Sequence, residues 1–227
     1  MKKTVIENAS ITQFANTGVQ LDCANDDFNY VTDMNGHIVR NCTITGPGQF
    51  AVGTTLTKNL VYNSNTLTCK DDPIHIEYRS SNCNSKKNRL TTTERDSQGR
   101  AKFSCITLIT GDTFVGSNGG IRLKEKIRHE NRVRNSFHVD NVLLGKSFFG
   151  IWGSESSNIR VQRNDFRGNQ ARNEKIFLST GDKNRQSFGG SRFSQGTRDW
   201  LVEGNIGVRK RDMFFATNRG HTINQPN

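Results

Sequence analysis

The chain has 227 residues, 32% of them hydrophobic, with 21 glycines, 3 prolines and a net charge of +11. No apolar run approaches the ~20 residues that a transmembrane helix needs, and Val, Ile, Leu and Phe are too regularly spaced for a disordered chain. Residues 1–113 hold 12 basic and 11 acidic side chains, whereas residues 114–227 hold 20 and 10, and this asymmetry predicts an anionic partner for the second half.

The first predicted element follows the amino terminus directly. Met1 to Asn8 include two lysines but no apolar run, so the sequence predicts no secretory signal and synthesis in the cytoplasm. A protein of this kind reaches the outside by lysis or inside an assembly. No amphipathic helix precedes the first unit as a lid, which favours an assembly in which another chain covers that end.

A short unit recurs along the chain: aliphatic or β-branched residues, one or two polar residues, an asparagine and another apolar residue. It occurs at residues 5–11, 38–44, 60–63, 133–137, 159–166 and 200–206. The alternation predicts strands, and separations between about 20 and 50 residues are typical of stacked repeats. The longest interval, from Asn63 to Asn135, has room for about three coils.

The asparagines of these units are Asn8, Asn41, Asn63, Asn135, Asn164 and Asn205. Asparagine tolerates the left-handed backbone region that a sharp bend between strands requires. Stacked asparagine side chains also hydrogen-bond along a stack, as amide ladders do in cross-β structures. We therefore expect one asparagine per coil at a matching bend.

With these units and asparagines, the chain resembles the right-handed parallel β-helix superfamily, which includes pectate-lyase-like enzymes and phage tailspike-like proteins. The resemblance runs from Val5 to about Phe215 and is weakest at 84–112. It implies an all-β solenoid of about seven to nine coils, a rod on the order of 35–45 Å long. We expect one domain over residues 1–216 with a polar projecting loop near 79–104, and a polar tail at 217–227.

Five cysteines are present: Cys23, Cys42, Cys69, Cys83 and Cys105. The odd number and the absence of a Cys-x-x-Cys pair argue against a disulfide framework and against a zinc site. We expect them to fill small inward positions as compact apolar residues.

Two groups of residues have fragments of catalytic patterns. Asp26 and Asp27, His37 and the pair Arg122 and Lys124 are of the types that hydrolases of this fold use, but their spacing does not place them one coil apart. Asp71, Asp72, His75 and Glu77 form an acidic cluster that could bind a hard cation, although a solvated strand face is the simpler interpretation.

A basic stripe is the strongest functional feature. The candidate contacts for an anionic partner are Arg122, Lys124, Lys126, Arg128, Arg132, Arg134, Arg160, Arg163, Arg167 and Arg198. Stacked coils would align them in a vertical strip, and guanidinium groups bind phosphate, sulfate or carboxylate bidentately. Trp152 and Trp200 could stack on sugars or bases, with core packing as the alternative.

The sequence contains no motif for a nucleotide, a metal or another cofactor, and we predict none. The leading hypothesis is a non-enzymatic structural or binding part of a larger particle, such as a phage virion or tail. Its partners would be other protein chains, with acidic glycan or nucleic acid as anionic contacts and no membrane. The alternatives are a lyase or hydrolase of acidic polysaccharides, in which Lys124 could act as a base, and a nucleic-acid-binding module without sequence preference.

Overall fold

A computed structural model describes residues 3–22, 36–55, 57–77, 80–93, 106–109, 133–147, 150–154, 156–171, 175–179, 198–215 and 220–227. Within these ranges the fold is all-β, as predicted, with parallel strand pairing and one short 3-10 helix, Lys210–Asp212. No helix in the described part of the chain has the length and apolar character required to cross a membrane.

Three parallel sheets contain all the strands that the structure describes. The first sheet has eight, in the spatial order β1 (Val5–Glu7), β4 (Ile38–Arg40), β7 (Val61–Asn63), β10 (Asn84–Lys86), β13 (Val133–Val139), β16 (Ser156–Gln162), β19 (Arg198–Glu203) and β21 (Thr222–Asn224). The second has six, in the order β2 (Ser10–Thr12), β5 (Thr43–Thr45), β8 (Thr66–Cys69), β11 (Arg89–Thr92), β14 (Val142–Ser147) and β17 (Asn169–Ala171). The third has seven, in the order β3 (Thr17–Asp22), β6 (Phe50–Thr55), β9 (Asp72–Glu77), β12 (Ile106–Ile109), β15 (Ile151–Ser154), β18 (Ile176–Ser179) and β20 (Met213–Phe215).

From β1 to β19, successive strands of the chain go to successive sheets, so that β1 pairs with β4, β2 with β5 and β3 with β6. The chain therefore passes through the three sheets in turn and returns one strand further along each. This arrangement is consistent with a β-solenoid. The register between neighbouring strands of the first sheet corresponds to steps of 23 residues where the connections are short, as between Val61 and Asn84, and of 53 residues between Ser85 and His138.

Side chains alternate between the inside and the outside of the stack. In the first sheet Val39, Tyr62 and Val161 point inward and are fully buried, whereas Arg40 and Arg160 on the same strands are exposed. Inward residues of all three sheets form one hydrophobic cluster, and the Tyr62 hydroxyl is hydrogen-bonded inside it to the hydroxyl of Thr54. The narrow core explains how 32% hydrophobic residues are enough.

A left-handed residue ends nearly every strand of the first sheet. The positions in register have φ between 53° and 59° and are Asn8, Asn41, Ser64, Lys87, Asp140, Arg163 and Gly204. A second left-handed series lies just before β4, β7, β10 and β21 and within the first residues of β13, β16 and β19. It consists of Gly36, Asn59, Asn82, Asn135, Asn158, Asp199 and Gly220. Gly and Asn make up six of the seven residues of the second series, because they adopt this conformation at the lowest cost, but only three of the seven in the first.

A ladder of buried asparagine amides lies directly after the first left-handed series. Its members are Asn65, Asn88, Asn141, Asn164 and Asn205. Each side-chain oxygen after the first accepts hydrogen bonds of 2.9–3.0 Å from the backbone N–H and the Nδ2 of the member one layer earlier. Each Nδ2 also donates to a backbone carbonyl. Since an unpaired buried polar group costs about 1–3 kcal/mol, this pairing is what permits amides in the core.

The ends of the ladder are closed by other residues. At the first end, the oxygen of Asn65 accepts from the backbone N–H of Cys42 at 2.9 Å. At the other end, the side-chain oxygen of Gln225 accepts from the N–H and Nδ2 of Asn205 at 2.8 and 2.7 Å, in the amide orientation that satisfies both residues.

The predicted amide ladder is therefore present, but the prediction of one asparagine per coil at a matching bend is wrong in its positions. Asn8 and Asn41 lie in the first left-handed series and Asn135 in the second, whereas only Asn164 and Asn205 belong to the ladder. Asn63 is within β7. Because bend and ladder residues are adjacent in the chain, the sequence pattern merged them.

Two predicted irregular regions contain strands. The region near 79–104 includes β10 and β11, and residues 217–227 include β21, which pairs with β19. In the first region the buried positions include the polar residues Ser85 and Asn88, and in the second region Gln225, and such residues hide the alternation from a sequence pattern.

Three of the cysteines confirm the predicted inward role. Cys42, Cys69 and Cys83 are buried free thiols, and burial raises the pKa of the Cys69 thiol well above its usual range. Cys23 and Cys105 lie outside the described residues.

Candidate functional site

A groove of about 460 Å³ lies on the outer face of the first sheet, across β7, β10 and β13. Its apolar lining comes from Val61, Phe137 and Val139, and Lys86 and Lys87 also line it. Val61, Lys86, Phe137 and Val139 face outward because they alternate with the buried Tyr62, Ser85 and His138 along their strands, and Lys87 is exposed at the left-handed corner after β10. Phe137 is unusual among the large hydrophobic residues that the structure describes, because 39% of it is exposed to solvent.

The register of the strands holds the groove in shape. Asn63 pairs with Lys86, which pairs in turn with Val139 of the next strand. The side-chain oxygen of Asn84 accepts a hydrogen bond of 3.0 Å from the backbone N–H of Phe137. That bond fixes the aromatic residue against β10, so the apolar surface is preformed.

Positive charge surrounds the groove. Lys86 and Lys87 are exposed and form no ion pair within 4.0 Å with any residue that the structure describes. The guanidinium carbon of Arg160 lies 5.3 Å from the centre of the Phe137 ring, which is a cation–π contact.

The acidic group nearest to this surface is already neutralised. Arg163 donates to Asp140 at 2.8 Å, and this bond, aided by the charges of Lys86 and Lys87, holds the pKa of the Asp140 carboxyl below its usual value. The same contact raises the pKa of Arg163. The outer face at β10, β13 and β16 is therefore net positive, and Lys86, Lys87 and Arg160 are its cations without an ion pair to a described carboxylate.

Five of the ten predicted anion-contact residues lie outside the described part of the chain. They are Arg122, Lys124, Lys126, Arg128 and Arg132. Arg134 belongs to β13, in register with Ser157 of β16 and, through it, with Arg198 of β19.

The arginines that can be placed do not form the expected single column. Arg160 lies in the middle of β16, Arg163 at the left-handed corner after it, Arg167 in the following turn and Arg198 at the start of β19. Arg167 is paired with Asp165 at 2.6 Å, and the Nε of Arg198 lies 3.6 Å from Asp199. Of these four, Arg160 is the one whose guanidinium is not engaged by a described carboxylate.

Of the two tryptophans, Trp200 is a core residue. Trp200 is 1% exposed and its indole N–H donates to the carbonyl of Ser156 at 3.4 Å, so the prediction that it stacks on a ligand is wrong and its core alternative holds. It is inward because Trp200 is in register with the buried Ile159. Trp152 belongs to β15, and its side chain lies outside the described part.

Three members of the acidic cluster, Asp71, Asp72 and His75, are buried, which contradicts the interpretation of a solvated strand face. The side chain of Glu77 lies outside the described part of the structure. His75 is stacked on Phe50 at 4.2 Å, its Nδ1 lies 3.0 Å from Asp72, and both polar side chains are largely inaccessible. Ile74 and Ile76 on the other side are also buried. The described residues contain no group of three or more His, Cys, Asp or Glu side chains able to hold a metal ion.

The residues of the hydrolase-like pattern are not brought together. His37 is 1% exposed and its Nδ1 accepts from the backbone N–H of Thr4 at 3.1 Å, so it has a structural role. Asp26 and Asp27, like Arg122 and Lys124, lie outside the described residues.

Sequence reasoning missed the groove itself. Asn84, Lys86 and Lys87 fall in the segment near 79–104 that the sequence predicts as a projecting loop, and the repeat pattern does not indicate which side of the strand Phe137 faces. The available signal is the run Leu60-Val61-Tyr62-Asn63 aligned with Cys83-Asn84-Ser85-Lys86, in which every second residue is outward.

No protein-family model matches this chain, no curated protein matches it, and no solved structure matches it.

Proposed function

We propose that the chain is a right-handed parallel β-helix of seven to nine coils that serves as a non-enzymatic structural and binding part of a larger particle. The handedness is supported by the rule that crossovers between parallel strands of one sheet are right-handed in about 98% of cases. The number of coils is supported by eight parallel strands in the first sheet.

The binding role rests on one observation: the basic outer face of the first sheet surrounds a preformed apolar groove and keeps charges that the described residues do not neutralise. Lys86, Lys87 and Arg160 supply these charges. Such a surface attracts an anionic partner by long-range steering and binds it by contact. The C-terminal half of the chain carries its excess positive charge, which favours the same class of partner.

A phage virion or tail is the setting that we propose for this binding component. Repetitive β proteins with a long outer face suit such assemblies, because every layer adds the same contact surface. The assembly part of the proposal is tested by size-exclusion chromatography with light scattering on the isolated chain. We expect self-association or higher-order complexes, and a stable monomer across the accessible concentration range would contradict it.

The binding part is tested by fluorescence anisotropy with three labelled polyanions: polyglutamate, heparin and oligothymidylate. We expect at least one to bind, with affinity that falls steeply with salt because exposed charges are screened. The variant Lys86→Ala/Lys87→Ala/Arg160→Ala should bind about tenfold less tightly or worse. The control Arg209→Ala/Lys210→Ala/Arg211→Ala removes the same charge from exposed positions elsewhere and should retain most of the binding. Absence of binding to all three polyanions would refute the proposed function.

A further inference from the structure

We propose that the groove across β7, β10 and β13 takes an acidic protein segment that places an apolar side chain against Val61, Phe137 and Val139 and its carboxylates beside Lys86 and Lys87. This inference rests on the proposed function, since it names the class of anionic partner for the same face. The surface joins two features that an amphipathic acidic peptide combines, an apolar anchor and negative charge.

The floor of the groove fits an apolar side chain. Val61 and Val139 are half-buried, and Phe137 is 39% exposed although it is a large hydrophobic residue. Covering these three surfaces removes apolar area from water, which is the main source of affinity in protein interfaces. The backbone beneath them is already ordered by the bond from Phe137 to Asn84, so little conformational freedom is lost on binding.

The rim of the groove fits carboxylates. Lys86 and Lys87 are adjacent and exposed, and Asp140, at the same corner one layer on from Lys87, is paired with Arg163. A segment with acidic residues next to its apolar anchor can therefore pair with the lysines, whereas a basic segment would be repelled.

The geometry favours a peptide over a sugar or a nucleic acid. Stacking of a sugar ring or a base requires an open aromatic face. One face of Phe137 is occupied by the guanidinium of Arg160 at 5.3 Å, and the remaining apolar lining is aliphatic. The oxygen of Asn84, which could have accepted from a sugar hydroxyl, is engaged by the backbone. Strand addition is a different mode and does not apply, because the groove lies on the face of the sheet and not at its edge.

The experiment compares two labelled peptides of equal length and equal charge with the full chain, one of glutamate and glycine and one in which leucine replaces the central glycine. Heparin and oligothymidylate are titrated in parallel. We expect the leucine-containing peptide to bind about tenfold more tightly than its partner.

Two variants and their controls locate the binding. Phe137→Ser should abolish the advantage of the leucine peptide, whereas Ile206→Ser, which changes a 50% exposed apolar residue elsewhere, should preserve it. Lys86→Ala/Lys87→Ala should weaken both peptides about tenfold, and Lys210→Ala/Arg211→Ala should change them less than threefold. Circular dichroism establishes that each variant is folded.

The outcomes separate this inference from the function on which it rests. Equal affinity for the two peptides, or equal effects of Phe137→Ser and Ile206→Ser, would overturn the peptide proposal and leave polyanion binding intact. Tighter binding of heparin or oligothymidylate through Lys86 and Lys87 would identify a different partner class and would also overturn it. Failure of every polyanion to bind would remove the proposed function together with this inference.

Discussion

Cys42 is the residue that shows how the amide ladder begins. It occupies the ladder position one layer before Asn65, and its backbone N–H already donates to the Asn65 oxygen. Its thiol lies 3.6 Å from the carbonyl of Ile6, which corresponds in register to the carbonyl of Val39 that accepts from Asn65. In the layer before Cys42, the corresponding position is held by the small, half-buried residue Ala9, which leaves room for a larger side chain at residue 42.

We therefore predict that Cys42→Asn extends the ladder and stabilises the protein. The new Nδ2 would donate to the Ile6 carbonyl and the new oxygen would accept from the N–H of Ala9, a net gain of about 1 kcal/mol. Denaturant unfolding measures the change, with Cys42→Ala as a control that lacks both bonds and should be less stable than the natural chain. A Cys42→Asn protein no more stable than the Cys42→Ala protein would show that the position cannot accept an amide.

His138 is a second informative residue, because it is a buried base with little polar support. Its Nδ1 lies 2.9 Å from the Ser85 hydroxyl, and its Nε2 has no hydrogen-bond partner in the described structure. Burial lowers the pKa of His138 from 6.5 to about 3. The folded state therefore holds the imidazole neutral at a pH where the unfolded chain protonates it.

This difference predicts a loss of stability on acidification. Because the folded pKa is the lower one, the unfolded state binds more protons between pH 6.5 and about 3, so the free energy of unfolding falls as pH falls through that window. Between pH 7 and pH 5 the loss attributable to His138 is about 2 kcal/mol. Urea unfolding of the natural chain and of His138→Gln at both pH values measures it. Parallel pH dependence of the two proteins would mean that His138 does not carry the effect.

At the scale of the element, the strands of the first sheet depend on the left-handed corners that end them. Ser64 has φ of 57° where other layers have Asn8, Asn41 or Gly204. In the left-handed backbone region, a residue other than Gly, Asn or Asp lowers the stability of the fold by about 1–2 kcal/mol. The corner sequence is thus constrained by backbone conformation more than by contacts.

We predict opposite effects for two substitutions at this corner. Ser64→Asn should raise stability by a few tenths of a kcal/mol or more, and Ser64→Val should lower it by about 1–2 kcal/mol, because β-branched residues are poorly tolerated at positive φ. The control Thr66→Val places the same residue at an exposed position of β8, where extended backbone suits it. Thermal unfolding followed by circular dichroism compares the three, and a Ser64→Val protein as stable as Thr66→Val would contradict the corner argument.

At the scale of the whole molecule, the sequence predicts the fold class better than the site. Short alternating units with Val, Ile and asparagine indicate parallel stacked strands, and this is seen in the three parallel sheets. The positions of the bend and ladder residues are harder to predict than the fold class. Steps of 23 and 53 residues occur in the same sheet, and bend and ladder asparagines are neighbours in the chain. Polar inward residues such as Asn88 and Ser85 further concealed two strands.

The candidate site shows a different limit of sequence reasoning. The number of arginines in the sequence gives the positive charge but does not show which arginines are free to bind an anion. Arg163 and Arg167 are paired with the carboxylates of Asp140 and Asp165. Lys86 and Phe137 are 51 positions apart in the sequence, and only the register of β10 with β13 places them in one groove. Such proximity depends on the length of the insertion between the strands, which no local pattern reveals.

The stacking register is the claim on which the ladder, the groove and the proposed partner all depend. It is tested most directly by the ¹⁵N–¹H spectrum of the folded Asn88→Ala variant. Asn88 hydrogen-bonds to Asn65 and Asn141, which lie 23 and 53 residues away in the sequence. We predict slowly exchanging side-chain amide signals for the ladder in the natural chain, and in the variant large shifts at Asn65 and Asn141. Shifts confined to the sequence neighbours of residue 88 would contradict the parallel stack.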